Sequence, residues 1–364
     1  MSTIEMQNSS SGLNPRDFQE TIEGKATDLF VLRNTKGMEV ALTNYGCALL
    51  AIMVPDRKGK CANVILGHDS IGHVKNSPEP FLNTVIGRYA NRIARGHFLL
   101  HGKEYRLDVN NVPNTLHGGN GGFHSRVWDV VRKDEGSVTL RYLSPDGEEG
   151  FPGNLSVELV YSVAPDCNRL EMHYRAVSDQ DTVVNLTHHG FFNLQGVSAL
   201  APSILNHKLC INADYYLPID SVAIPTGEIL KVDDTPMDFR IPHAIGERID
   251  APFEQLRRGN GYDHCYVLRK AERGELSWAA TCAEPTSGRT LTVYTTEPGM
   301  QLYTGNGLSG FCGAHGAVFP VRSAVCFEAQ CFPDAPNHSY FPSSVLHSGK
   351  EYRQTTLYEF GIQE

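Results

Sequence analysis

Two adjacent histidines, His188 and His189, stand in the run NLTHHGFFNL (residues 185–194), and one carboxylate, Glu328, interrupts the apolar run SAVCFEAQCF. An imidazole and a desolvated carboxylate are the two group types best suited to giving one proton and taking another near neutral pH. If residues 185–194 form a strand, alternate side chains face opposite ways. Asn185, Thr187, His189, Phe191 and Asn193 then share one face, and Leu186, His188, Gly190, Phe192 and Leu194 the other. The second face is apolar and reads as core, with His188 a satisfied buried imidazole. The first mixes polar and aromatic groups, which suits a sugar: its hydroxyls need donors and acceptors, and its C–H face stacks on rings. His189 is therefore assigned to a site and His188 to structure. A carboxylate in an apolar strand is costly unless it is bonded or has a task. Burial raises the pKa of Glu328 towards that of a general base, while a cationic imidazole beside it would lower it.

Further polar islands break the background: GRYANRIARG (87–96), NTLHGGNGGFH (114–124), GYDHCY (261–266), PGMQLYTGN (298–306) and FEAQCFPDAPNH (327–338). The glycine-rich HGGNGGF is not a phosphate loop, because no Lys-Ser/Thr follows it. The 15 histidines contain no H-E-x-x-H or comparable ligand spacing, which argues against a metal hydrolase.

The elements that must position these residues are strands. DLFVLRN, MEVALTNYG, SVTLRYLSPDG, LSVELVYSV, RLEMHYRAVS and TLTVYTTEPG are β-branched or aromatic, mostly alternate, and end at turn residues. The best helical candidate is short, PFLNTVIGRYANRIA (80–94). No fixed-period repeat and no low-complexity linker divides the chain. The expected architecture is all-β: a loose polar tail over 1–12, then one large antiparallel β-sandwich over 13–364. A net charge of −9 with scattered basic residues argues against a nucleic-acid partner. No apolar run reaches the ~20 residues of a membrane span. The first residues lack a basic start followed by an apolar core, and the nine cysteines include no C-x-x-C. Both point to reduced thiols in the cytoplasm, or to the periplasm if a leader is missing.

Taken in order, GRYANRI, LHGG, NLTHHGFFNL, GYDH, PGMQLYTGN and PDAPNH resemble the signatures of the aldose 1-epimerase (galactose mutarotase) family. The resemblance runs from about Met38 to the C-terminus. It implies a sandwich of the galactose mutarotase type, an open sugar cleft, an isomerase acting on free aldoses such as glucose and galactose, no cofactor, no catalytic metal, and a monomer or homodimer. By the same resemblance His189 is the general acid, Glu328 the general base and His117 a second histidine near the ring oxygen. Asn91, Arg92, Asp263 and Gln301 bind sugar hydroxyls, and Phe191 joins the binding set. Three positions depart from the family pattern: His188 stands where Asn is frequent, Phe191 where Tyr is frequent, and Cys331 where Asn is common.

Overall fold

Alternation of apolar and polar residues sets the architecture. In Leu155–Val163 every second side chain is buried, and Ser137–Ser144 and Arg169–Ser178 follow the same rule. Such segments bury one face and pair through the backbone. The structure, a computed structural model, describes residues 9–363. Its largest sheet has nine strands. The twelve-residue strand Glu351–Ile362 lies inside that sheet, between Arg169–Ser178 and Arg289–Thr295, and so joins early and late parts of the chain. A second sheet of five strands runs Leu230–Lys231, Ala213–Tyr216, Asp263–Leu268, Gly299–Tyr303 and Cys326–Gln330. A third, of four, begins at Leu29–Arg33 and ends at Cys61–Asn63. All the strand ladders are antiparallel, and the two α-helices of the described residues, Ile71–Lys75 and Glu254–Gly259, are short. The fold is the all-β antiparallel sandwich expected.

The main core forms where the sheets face each other. Val157, Leu159 and Tyr161 of the nine-stranded sheet share one apolar cluster with Tyr266, Met300, Leu302 and Phe327 of the five-stranded sheet. The Tyr358 hydroxyl donates to the Phe327 carbonyl at 3.2 Å across that contact. One face of the smaller sheet is thus committed to the core. Its opposite face, which carries Glu328 one residue on from Phe327, is left to build a site.

Three expectations are corrected. Residues 80–94 form no α-helix: Val85–Ile86 pairs with Thr187–His188 and Arg92–Ile93 with Thr115–Leu116, and each short strand follows an asparagine in the left-handed region, Asn83 (φ 55°) and Asn91 (φ 62°). A left-handed residue breaks a helix, and the β-branched Thr84, Val85 and Ile86 favour strand. The expected tail is not loose where it is described. Ser9, Ser10 and Ser11 all donate to the buried Glu39 carboxylate; the rest of the tail lies outside the described residues. Finally, only Thr187–His188 of residues 185–194 forms strand, against Val85–Ile86. Asn185 and Asn193 are buried clamps on neighbouring backbone and not part of a sugar-facing row.

Candidate active site

Register within the five-stranded sheet decides which side chains meet. Gln301 lies directly between Glu328 and Cys265 on the two flanking strands, and Asp263 is paired with Tyr303. Asp263, Gln301, Tyr303 and Glu328 therefore rise from one face. The Gln301 amide donates to Asp263 Oδ1 at 2.7 Å, fixing that carboxylate from below.

His189 arrives from the other side on a bracket of backbone hydrogen bonds. Its N–H donates to Thr84 O (3.0 Å), and its carbonyl accepts from Asn83 N–H (3.1 Å). The side chain of Asn83 accepts from Phe191 N–H at 2.8 Å. Phe191 stacks on the His189 ring, 4.7 Å between centroids and 9° from parallel. Phe191 is fully buried and does not line the cavity; it sets the plane of the imidazole from behind. The result places His189 Nε2 3.7 Å from Glu328 Oε1. His188 faces the core as expected, edge-on to Tyr161, but neither of its ring nitrogens has a hydrogen-bond partner, so it is not the satisfied imidazole expected.

The two loops that carry Asn91, Arg92 and His117 are locked together. Arg92–Ile93 pairs with Thr115–Leu116. His117 N–H donates to Asn91 O at 3.0 Å, and Asn91 N–H donates to His117 Nδ1 at 3.1 Å. An Nδ1 that accepts leaves the ring proton on Nε2, so His117 is a neutral imidazole with one N–H to offer. Burial and the neighbouring His189 hold its pKa well below the usual value, which keeps it so. Gly118, at φ 86°, lets the turn approach this closely, since a Cβ there would lie 2.0 Å from Gly87 O. Arg92 is braced by its Nε donating to Asn111 Oδ1 at 3.1 Å.

Asn185 ties both halves of the site together. Its amide donates to Ala90 O (3.1 Å) and Cys331 O (3.3 Å), and its oxygen accepts from Cys331 N–H (2.8 Å). Asn185→Ala would leave a buried N–H and two carbonyls without these partners. The expected cost is about 1–3 kcal/mol, read as a lower melting temperature together with a loss of activity, because the loop before Arg92 and the strand of Glu328 both lose their tether.

These residues enclose a cavity of about 540 Å³ lined by Asn91, Arg92, His117, His189, Asp263 and Glu328 among others, a volume in the range of small-molecule sites. Gln301 adjoins it through its bond to Asp263. Glu79, Phe81, His124 and Tyr303 also line it, and sequence reading missed all four. Tyr303 was within reach of period 2 from Gln301. Glu79, Phe81 and His124 come from irregular segments with no periodic signal. A larger cavity, about 1070 Å³, opens elsewhere beside Lys270, Glu297, Phe332, Phe341 and Tyr352; it holds no histidine. Cys331 lines that one and not the smaller.

Burial dominates the electrostatics. It pushes the Glu328 carboxyl well above its usual range, helped by Asp263 and opposed by Arg92. It pushes the His189 imidazole down to about 3 and Glu79 up to about 7. Asp263 is raised by burial and pulled back by Arg92 and Gln301. Glu328 Oε2, His189 Nδ1 and Gln301 Oε1 are buried with no protein partner. Unpartnered buried polar atoms are expensive, and here two of the three belong to the proposed acid–base pair. His117, His189 and Glu328 each bring one donor atom within 4.8 Å of the others, a spacing that a metal ion could also use.

A β-sandwich whose smaller sheet sets a buried carboxyl against an imidazole, in a hexose-sized cavity rimmed with amides and carboxyls, defines the class of sandwich enzymes that work on sugars by acid–base chemistry. The model of the aldose 1-epimerase family matches residues 28–359. Galactose mutarotase of Bos taurus is 42% identical over 327 residues, 89% of this chain and 92% of the relative. Aldose 1-epimerase of Escherichia coli K12 is 36% identical over 340 residues, 93% and 96% of the two chains. Among solved structures, the GalM/aldose epimerase homologue from C. elegans superposes with a TM-score of 0.83 at 29% identity, covering 93% of this chain and all of that one. Galactose 1-epimerase from Lactobacillus acidophilus gives 0.82 at 29% identity, covering 95% and 97%. The chain belongs to the aldose 1-epimerase family.

Proposed function

We propose that this protein interconverts the α and β anomers of free hexoses, galactose and glucose among them, by acid–base opening and re-closure of the ring. The observation that carries the reading is the buried pair His189–Glu328, 3.7 Å apart over one cavity. The C1 hydroxyl and the ring oxygen sit on the same carbon, so a base and an acid this close reach both at once. Glu328 takes the hydroxyl proton, and the O1–H electron pair becomes the second C1–O1 bond of the carbonyl. The C1–O5 bond breaks, and O5 receives the proton of His189. Rotation about C1–C2 presents the other carbonyl face, and closure reverses both transfers. The His117 Nε2–H and the Arg92 guanidinium, both on the cavity wall, stabilise charge that builds on the opening ring. Asn91 and Asp263, the latter held by Gln301, hold hydroxyls and keep the open chain in place.

Proton counting reconciles this chemistry with the shifted pKa values. The pair holds one proton in total whether it is the ion pair or the neutral couple, and ring opening converts the first into the second. Burial favours the neutral couple, the form that accompanies the open aldehyde, so the site lowers the energy of the intermediate. The pair is inactive with two protons or with none. Its second proton adds only as pH falls through the depressed imidazole value of about 3, and its last leaves as pH rises through the elevated carboxyl value. The acid limb of kcat/KM is thus expected well below the 6.5 of a free imidazole. Polarimetric rates across pH, corrected for buffer catalysis and checked by circular dichroism, measure it; a limb near 6.5 would contradict the buried couple.

Phosphorylated hexoses fit the cavity poorly. Arg92 is the single guanidinium or ammonium group on its wall, among the carboxyls of Glu79, Asp263 and Glu328, too little positive charge to hold a dianionic phosphate. The test is polarimetry on freshly dissolved α-glucose, α-galactose and α-glucose 6-phosphate, each with and without a chelator. Fast rates on the free sugars that persist in chelator support the reading. Rates abolished by chelator would assign the His117–His189–Glu328 cluster to a metal, and a preference for the phosphate ester would name a different substrate.

A further inference from the structure

A second group of ligating side chains lies outside the sugar cavity. His101 occupies the two-residue turn of the hairpin His97–Leu100/Lys103–Arg106; His101 and Gly102 both have positive φ (52° and 79°), as such a turn requires. Asp181 precedes Thr182, and His347 follows Leu346. Thr182 and Leu346 are paired on adjacent strands, so Asp181 and His347 occupy the next rung of that ladder. Three segments far apart in sequence thereby bring two imidazoles to one carboxylate. His101 Nε2 lies 2.7 Å and His347 Nδ1 2.8 Å from the same oxygen, Asp181 Oδ2. The other oxygen, Oδ1, accepts the Ser348 N–H at 2.7 Å, which fixes the orientation of the carboxylate. The two rings are 6.3 Å apart and 25° from parallel, and the three donor atoms all lie within 4.8 Å of one another.

We propose that His101, Asp181 and His347 form a surface site for a divalent transition ion of the zinc type, which staples three loops of the sandwich. Two imidazole nitrogens and one carboxylate oxygen are the donor set of zinc, cobalt or nickel, while magnesium and calcium prefer all-oxygen shells. Tetrahedral ligation at about 2.0–2.2 Å requires each imidazole nitrogen to part from the Asp181 oxygen by about 0.5–0.9 Å from its present hydrogen-bonded spacing. Exposed side chains allow that: His101 and His347 are each 63% exposed. Water completes the shell from the open side. The backbone bond from Ser348 to Asp181 supplies the outer support that ligating carboxylates usually have.

Equilibrium dialysis of the full chain against zinc chloride tests this, on the wild type and on His347→Ala, Asp181→Asn and His189→Asn. The wild type and His189→Asn are expected to hold one equivalent that His347→Ala and Asp181→Asn hold at least about tenfold more weakly. Zinc should raise the melting temperature of the first two and not of the others, and mutarotation by His347→Ala without zinc should match wild type. Equal binding by all four proteins would overturn the proposal. So would loss of the equivalent in His189→Asn alone, which would place the ion in the sugar cavity.

Discussion

Glu328→Gln is expected to lower kcat for anomer interconversion by about 10²–10⁴-fold, the contribution typical of a positioned general base, while galactose still binds. The substitution keeps the shape of the side chain. It also keeps the fold, because burial already favours the uncharged carboxyl and an amide is a neutral group of the same size. What is lost is the ability to take the C1 hydroxyl proton. Polarimetry gives the rate and calorimetry the binding. A variant with near-wild-type rates would remove Glu328 from the chemistry, whereas loss of binding and rate together would make it a hydroxyl ligand only.

His189→Asn removes the acid and is expected to cost a comparable factor, again about 10²–10⁴. The backbone bonds to Asn83 and Thr84 do not involve the imidazole, so the bracket survives; the stack on Phe191 is lost, and a small fall in melting temperature follows. An unfolded variant would mean that His189 serves the core. The double variant distinguishes a coupled pair from two independent helpers. Since one proton transfer is useless without the other, Glu328→Gln/His189→Asn should be little slower than either single variant. Losses that multiply would show that the groups act separately.

The all-β character was legible because Leu155–Val163 and its neighbours alternate so regularly, and a period of two admits no other element. Alternation also sorted His188 from His189 correctly, although the strand it presumed is only two residues long. The same logic misplaced Asn185 and Asn193: with strand only at Thr187–His188, face assignments do not propagate to residues on either side. The contacts of Phe191 with His189 and of Gln301 with Asp263 depend on depth and register, which a sequence does not encode. The false helix over 80–94 has a tertiary cause: the left-handed Asn83 and Asn91 are bonded to the distant His189 and His117 segments. Glu79 and Phe81 reach the cavity from an aperiodic loop, where only the fold reveals proximity.

One measurement tests the central claim most directly: the crystal structure of Glu328→Gln with galactose bound. Acid–base ring opening by this pair requires the C1 hydroxyl within about 2.6–3.2 Å of the side chain at 328, and the ring oxygen within the same reach of His189 Nε2. A sugar seated with its anomeric carbon towards Asn111, or lodged in the larger cavity beside Glu297, would contradict it.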